Sequence, residues 1–245
     1  MGNKKELSSE WHTLFSEVVE EKRVVINKEK SIYEIRPKHK KYRFFIDRFL
    51  EKKKGLHAVF DELKNAKEHD YLELIINSSG GFVNEGMQFF NIIEEKFYNR
   101  TIAYLDNHGY SMGALLFCMA NKRVVYPYSD LMFHNYSAGA IGKGGEIKSR
   151  VRHIDRLLKE FFYDIIVEQG FLSKDEYENM LIGQDYWMNA KELCKRGIAT
   201  HVIYKGKELS AKEFLELKKS KKKKKKSKKL SKFRANKKKS RKNQH

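Results

Sequence analysis

Four short stretches of this chain carry residue types that can do chemistry together. In Gly109-Tyr110-Ser111-Met112-Gly113 a serine stands where a strand-like run turns into an apolar helix. A serine at such a corner is exposed, with helix-start amides and the positive end of the helix dipole beside it, which is what a nucleophile needs. The G-x-S-x-G pattern alone recurs by chance and also fits an ordinary turn. Ile76-Asn77-Ser78-Ser79-Gly80-Gly81 ends an apolar strand in two glycines, whose lack of a Cβ permits close backbone approach and outward-facing amides. That corner suits an oxyanion hole, and equally a plain strand-to-helix turn. His134 closes the apolar run Leu131-Met132-Phe133, and of the nine histidines it is best placed to reach Ser111. Asp185, in Gln184-Asp185-Tyr186-Trp187-Met188, is an acid flanked by large rings, with a helix cap or turn as the plainer alternative.

The elements that must position these residues alternate regularly. Strands are expected at Tyr42 to Ile46, Tyr71 to Asn77, Thr101 to Leu105, Arg123 to Tyr126, Leu131 to His134 and Thr200 to Tyr204. Helices are expected near 56–68, 84–97, 111–121 and 146–169. Strands separated by helices of this length imply crossover connections and a mostly parallel sheet, so the fold class is α/β. Ser173 with Glu176 and Ser210 with Glu213 have capping-box spacing, and Asn189 caps a helix that stops at Gly197, which adds three helix starts. Near the start, Trp11, Leu14, Phe15, Val18 and Val19 recur at helical spacing, and an amphipathic helix is expected over 8–22. The division along the chain is an N-terminal extension (1–41), an α/β domain (42–217) and a disordered lysine-rich tail (218–245).

Composition excludes several classes. The formal charge is +19, yet residues 218–245 hold 17 of the 51 basic side chains and no acid, leaving 34 bases against 32 acids elsewhere. The basic character is therefore a tail and not a surface, and such a charge block is solvated. Its chemistry allows weak contact with nucleic acid or another anion, without base readout. Two cysteines in apolar or helical stretches argue against a disulfide framework and fit a reducing, cytoplasmic setting. The longest apolar run, Ala114 to Ala120, is too short for a transmembrane segment. The Met1-Gly2 start lacks the Ser or Thr that myristoylation needs, Glu6 standing there. No zinc-type spacing occurs.

Taken in order, Ile76-Asn77-Ser78-x-Gly80-Gly81, Ser111-Met112-Gly113-Ala114, Met132-x-His134 and Asp185-x-x-Met188-x-Ala190-x-Glu192 with Gly197-Ile198 resemble the motifs of ClpP, the proteolytic subunit of Clp proteases, over about residues 42–204. The resemblance implies a ClpP/crotonase-like spiral of ββα units with a long handle helix. It implies a serine endopeptidase in which Ser111 attacks, His134 is the general base and Asp185 orients the base. Amides of Gly81 and Met112 would form the oxyanion hole. Gly80, Phe82 and Val83 would bind an extended polypeptide substrate, whose other side faces the Ser137 to Gly142 region. No metal or organic cofactor is implied. The family assembles as homo-oligomeric rings, with Ile147, Val151, Ile154, Leu157, Leu158, Phe161 and Phe162 of the handle at the interface, and receives substrate from a ring-shaped ATPase.

Departures from the family pattern are specific. Ser79 replaces a proline, which loosens the glycine turn; Gly109-Tyr110 replaces an alanine pair; His134-Asn135-Tyr136 replaces His-Gln-Pro; and Gln184 stands where many members have an inter-ring arginine. Residues 1–41 have no counterpart. A dedicated processing protease therefore stands beside general proteolysis. Two other classes stay open: a crotonase-like acyl-CoA enzyme, which would use the Gly80-Gly81 corner without a triad, and an inactive assembly protein whose basic tail binds nucleic acid. A Ser-Lys peptidase needs a lysine that nothing here requires while His134 is available.

Overall fold

The computed structural model describes residues 56–221, together with the strand segments β1 (Lys4–Ser8), β2 (His12–Val19), β3 (Val24–Asn27), β4 (Ile32–Glu34) and β5 (His39–Phe49). From residue 222 onward the lysine-rich tail lies outside the described residues, although a final helix over 211–221 carries its first lysines. Lys218 and Lys221 of that helix lie over the Tyr204 ring, and Lys221 Nζ donates to Tyr204 Oη at 2.6 Å.

The remaining order is α1 (Leu56–Lys64), β6 (Tyr71–Gly81), α2 (Val83–Phe97), β7 (Thr101–Tyr110), α3 (Met112–Cys118), β8 (Lys122–Val125) and β9 (Asp130–Phe133). It continues with α4 (Gly144–Ile166), α5 (Lys174–Leu181), β10 (Tyr186–Asn189), α6 (Ala190–Lys195), β11 (His201–Tyr204) and β12 (Lys207–Ser210). The α/β expectation holds: β5, β6, β7, β8 and β11 lie side by side as parallel neighbours, and helices cover the buried face. Leu72, Leu74, Ile76, Ala103 and Leu105 face that core with no more than a trace of exposure. Phe44 of β5 meets Phe89 of α2 edge-on at 5.3 Å, and Phe89 stacks on Phe60 of α1 at 5.6 Å, so aromatic contacts knit the first two helices to the sheet.

The expected helix over 8–22 is corrected. The backbone there forms β1 and β2, an antiparallel pair whose second strand runs antiparallel to β5 from His12 opposite Ile46 to Val19 opposite His39. Sheet extension along β5 supplies ladder hydrogen bonds that an isolated helix of that length would have to replace from within itself.

One irregularity shapes the site. β7 pairs with β8 over Ile102 to Leu105 and then, past the exposed Asp106-Asn107, with β9 over His108 to Tyr110. The sheet therefore branches, and β10 adds antiparallel to the far side of β9. Buried Ser129 braces the branch by donating to Leu105 O at 2.6 Å while accepting from Tyr126 N at 2.9 Å.

Both expected capping boxes and the Asn189 cap form. Ser173 Oγ accepts from Glu176 N, Asn189 Oδ1 from Lys191 N and Glu192 N, and Ser210 Oγ from Glu213 N. Glu176 also takes both terminal nitrogens of Arg196, at 2.7 and 2.9 Å, clamping α5 to the end of α6 on either side of β10. The Arg196 hydrogen bonds, against a smaller burial penalty, push the Glu176 carboxyl down to about 2 from 4.5. A carboxyl lowered on folding stabilises in full above its unfolded value and loses that contribution as pH falls toward the folded one. The melting-temperature gap between the wild type and Glu176→Gln is therefore expected to be constant above about pH 5 and to close as pH falls from there toward about 2. A gap that does not change across that window would show that the pair adds nothing.

Candidate active site

Ser111 sits at the point where β7 ends and α3 begins. Its backbone adopts φ 55, ψ −124, a conformation that side-chain-bearing residues rarely take. The strain is held by three backbone hydrogen bonds: Ser111 N to Met132 O at 3.0 Å, and Ala114 N and Leu115 N to Ser111 O. The corner also needs glycine at two neighbouring positions. A Cβ on Gly80 would lie 2.7 Å from Ser111 Cβ and 3.0 Å from Tyr110 O, and one on Gly113 would lie 3.0 Å from Ser78 Cβ. The end of β6 is thus pressed against the turn that holds the serine. Ser78, fully buried, accepts from Gly80 N at 3.1 Å and fixes the double-glycine corner from within.

His134 and Asp185 arrive on the adjacent strands of the branch. β9 runs parallel to β7, with Tyr110 opposite Met132, so Ser111 and His134 leave neighbouring strands at the same end. β10 runs antiparallel to β9 with Tyr186 opposite Phe133. Asp185 and His134 therefore stand one step beyond the last pair of that ladder, on facing chains. The structure brings the three residues to one edge, the first two half-buried and Asp185 exposed. Among the described residues no hydrogen bond joins Ser111 to His134 or His134 to Asp185, so the constellation is gathered but not hydrogen-bonded in this conformation.

Ser111, His134, Gly81, Met112 and Val83 line one cavity of about 140 Å³, whose apolar wall is Leu115, Phe133, Phe162 and Ile166. Met112 begins α3, so its amide has no carbonyl one turn back within that helix. Gly80 lies just behind Gly81, and Phe82, at the start of α2, is 48% exposed beside them. A small apolar cavity beside a strained serine, a histidine and helix-start amides can seat an acyl side chain and stabilise a developing oxyanion. Among the described residues no cluster of His, Cys, Asp or Glu is arranged to hold a metal ion, and no helix is long and apolar enough to cross a membrane.

Several supports escaped the sequence reading. Asn135 Nδ2 donates to Leu181 O at 2.8 Å, and Tyr136 Oη donates to Asp155 Oδ1 at 3.0 Å, so the loop after His134 is pinned to α5 and α4. Ser79 does not leave the glycine turn loose: its Oγ lies 3.3 Å from His108 Nε2 and ties β6 to β7. Tyr110 fills space that alanine would leave open, with its hydroxyl 2.7 Å from Asp130 Oδ2 and its ring 5.1 Å from that of Trp187. Burial and that hydrogen bond push the Tyr110 phenol up to about 12, so it stays a donor. These contacts have no local sequence signature, because each partner is supplied by another strand or helix.

Comparison with known proteins matches the family described as Clp protease over residues 47–206, which contains every residue of this edge. The chain belongs to the Clp protease family. Among curated relatives, the ATP-dependent Clp protease proteolytic subunit of Bacteroides thetaiotaomicron is 30% identical over 139 residues, 55% of this chain and 60% of that protein. That of Bacteroides fragilis is 30% identical over 137 residues, 55% of this chain and 64% of the relative. Proteolytic subunit 2 of Chlamydia trachomatis is 29% identical over 146 residues, 58% and 69% of the two chains. The chain thus spans less than two thirds of the Bacteroides proteins. Within the Clp protease family frame, both cysteines are free and buried, and burial raises the Cys118 thiol to about 12 and the Cys194 thiol to about 11, far from thiolate chemistry. Neither thiol is therefore a candidate nucleophile.

Proposed function

We propose that the chain is a serine endopeptidase in which Ser111 is the nucleophile, His134 the general base and Asp185 the residue that orients the base. The observation that carries this reading is the strained Ser111 elbow at the end of β7, with His134 and Asp185 just off the ends of the next two strands and Gly81 and Met112 around the same cavity. Ser111 attacks the peptide carbonyl, passing its proton to His134, which returns it to the leaving amine; Asp185 holds the imidazole tautomer and its cationic form. Amides of Gly81 and Met112 receive the oxyanion, each worth about 3 kcal/mol in the transition state. The acyl-side residue enters the cavity of Leu115, Phe133, Phe162 and Ile166, which favours a medium-sized apolar side chain. The substrate backbone lies extended along Gly80 to Val83. Small rotations of Ser111 and His134 side chains complete the hydrogen-bonded relay when substrate or assembly closes the edge.

A ring assembly is supported by α4. Its C-terminal part is buried on the domain through Leu158, Phe162, Ile165 and Ile166, while Val151 and Leu157, nearer its start, remain 47% and 39% exposed. Copies of the chain meet through that outer part, and an ATPase partner or a single dedicated substrate feeds the chamber. Two buried free thiols fit a cytoplasmic site.

The test is an active-site serine probe. A fluorophosphonate is expected to label the purified protein at one position, mapped by peptide mass to Ser111, with peptide hydrolysis lost in proportion to labelling. Acyl-CoA turnover by a protein whose Ser111 stays unlabelled would overturn the reading in favour of a crotonase-like enzyme.

A further inference from the structure

Next to His134 and Asp185, which sit just off the ends of β9 and β10, one face of these strands leads away from the cavity as two rows of side chains. Strand alternation puts residues 130 and 132 of β9 on one face, with 187 and 189 of β10 and 108 and 110 of β7 beside them. The register makes the first row Tyr110, Met132 and Trp187, and the second His108, Asp130 and Asn189. The opposite face of these strands, with Gly109, Leu131, Phe133 and Met188, is buried. Successive rows are separated by about 7 Å, so the aromatic row lies one peptide-length step from His134.

This row is built and not incidental. The Tyr110 ring lies 4.7 Å from the His108 ring and 5.1 Å from the Trp187 ring, with the planes of the latter pair 68° apart, and its hydroxyl is tied to Asp130. Trp187 is nevertheless 56% exposed. Charge is one-sided: the stretches 106–111, 128–135 and 183–190 include Asp106, Asp130 and Asp185 but no lysine or arginine, whereas residues 1–217 as a whole hold 34 bases against 32 acids. An exposed indole and a half-buried phenol beside a carboxylate match a guanidinium, which stacks on aromatic faces and donates to carboxylate oxygen in a way that ammonium does less well.

Resting on the peptidase reading, the position of His134 supplies the direction. The leaving amine takes its proton from His134, so the peptide beyond the cleaved bond leaves past that residue, one step from the face of Tyr110, Met132 and Trp187. We propose that this face, with Asp130 at its edge, is a subsite for an arginine side chain on the leaving-group side of the scissile bond. The enzyme would then be selective on both sides: an apolar residue before the bond, and arginine a short way after it.

Internally quenched peptides test this, sharing leucine before the cleaved bond and carrying arginine, alanine or glutamate at successive positions after it. At one position arginine is expected to exceed alanine in kcat/KM by about five- to tenfold, with glutamate the poorest. That ratio is expected to collapse toward unity in Trp187→Ala and in Asp130→Asn. A purely structural role for either residue would lower all three peptides alike and leave the ratio unchanged, which would overturn the subsite. Hydrolysis without preference at any position, with Ser111 still labelled by fluorophosphonate, would overturn the arginine subsite and leave the peptidase reading standing. Failure of both hydrolysis and labelling would overturn both.

Discussion

Peptide hydrolysis by the Ser111→Ala protein is expected to fall by about five to six orders of magnitude in kcat, with His134→Ala losing nearly as much and the double variant no more than either alone. Non-additivity follows from the relay: an imidazole with no hydroxyl to activate and a hydroxyl with no base to accept its proton are equally idle. Asp185→Asn is expected to cost about two orders of magnitude less than Ser111→Ala, because the base remains but its tautomer is no longer imposed. Single-turnover rates on one quenched peptide, measured at fixed pH, decide the matter. Losses at 111 and 134 that add in the double variant would mean the two residues act independently, against the relay. A Ser111→Ala protein within about tenfold of the wild type would remove the serine from the chemistry altogether. The buried thiols offer no substitute nucleophile, since Cys118 and Cys194 are both raised far above neutral pH by burial.

The parts of this site that could be read from the sequence are those whose causes are local. Ser111 stood out because a strand, a glycine-flanked serine and an apolar helix are contiguous, and the backbone does turn there at φ 55. Gly80 and Gly81 stood out because two glycines at a strand end need a reason, and the 2.7 Å approach to Ser111 supplies it. The N-terminal segment was misread for an equally local cause. Leu14 with Val18 and Phe15 with Val19 are four residues apart, a spacing that returns to the same side of a helix and also of a strand. Only the pairing of β2 with β5 separates the two readings, and that partner is long-range in sequence. The ladder of β9 with β10 was illegible for the same reason. It joins Phe133 to Tyr186 across the whole of α4 and α5, and four residues ending in a helix-capping Asn189 carry too little alternation to announce a strand. The serine was thus legible as a corner. Its relation to Asp185 depends on a register that only the folded sheet supplies.

Gly80→Ala is the most demanding test of that corner away from the reacting groups. The added methyl would meet Ser111 Cβ at 2.7 Å, Tyr110 O at 3.0 Å and Ser111 Oγ at 3.2 Å, on a backbone held at φ +104. The Ser111 Cβ is fixed by its backbone and Tyr110 O is main chain, so rotation of the Ser111 hydroxyl can relieve only the third of these contacts. The conformational cost adds about 1–3 kcal/mol of strain, and the native structure can shed it only by moving β6 away from the β7–α3 turn. Such a shift displaces the Gly81 amide from the cavity edge that it shares with Met112. An oxyanion donor displaced by an ångström loses most of its differential stabilisation, and kcat/KM is expected to fall by about a thousandfold or more. Fluorophosphonate labelling should slow in parallel, while Gly145→Ala, where a new Cβ meets nothing within 4 Å, should behave as the wild type in both assays. A thermal melt separates the two routes to lost activity: a Gly80→Ala protein that still melts cooperatively but labels slowly has a misplaced site, not an unfolded one. A folded variant that hydrolyses peptides at the wild-type rate would mean that the close approach of β6 to Ser111 is packing alone, and the oxyanion donors would then have to be sought elsewhere than at Gly81.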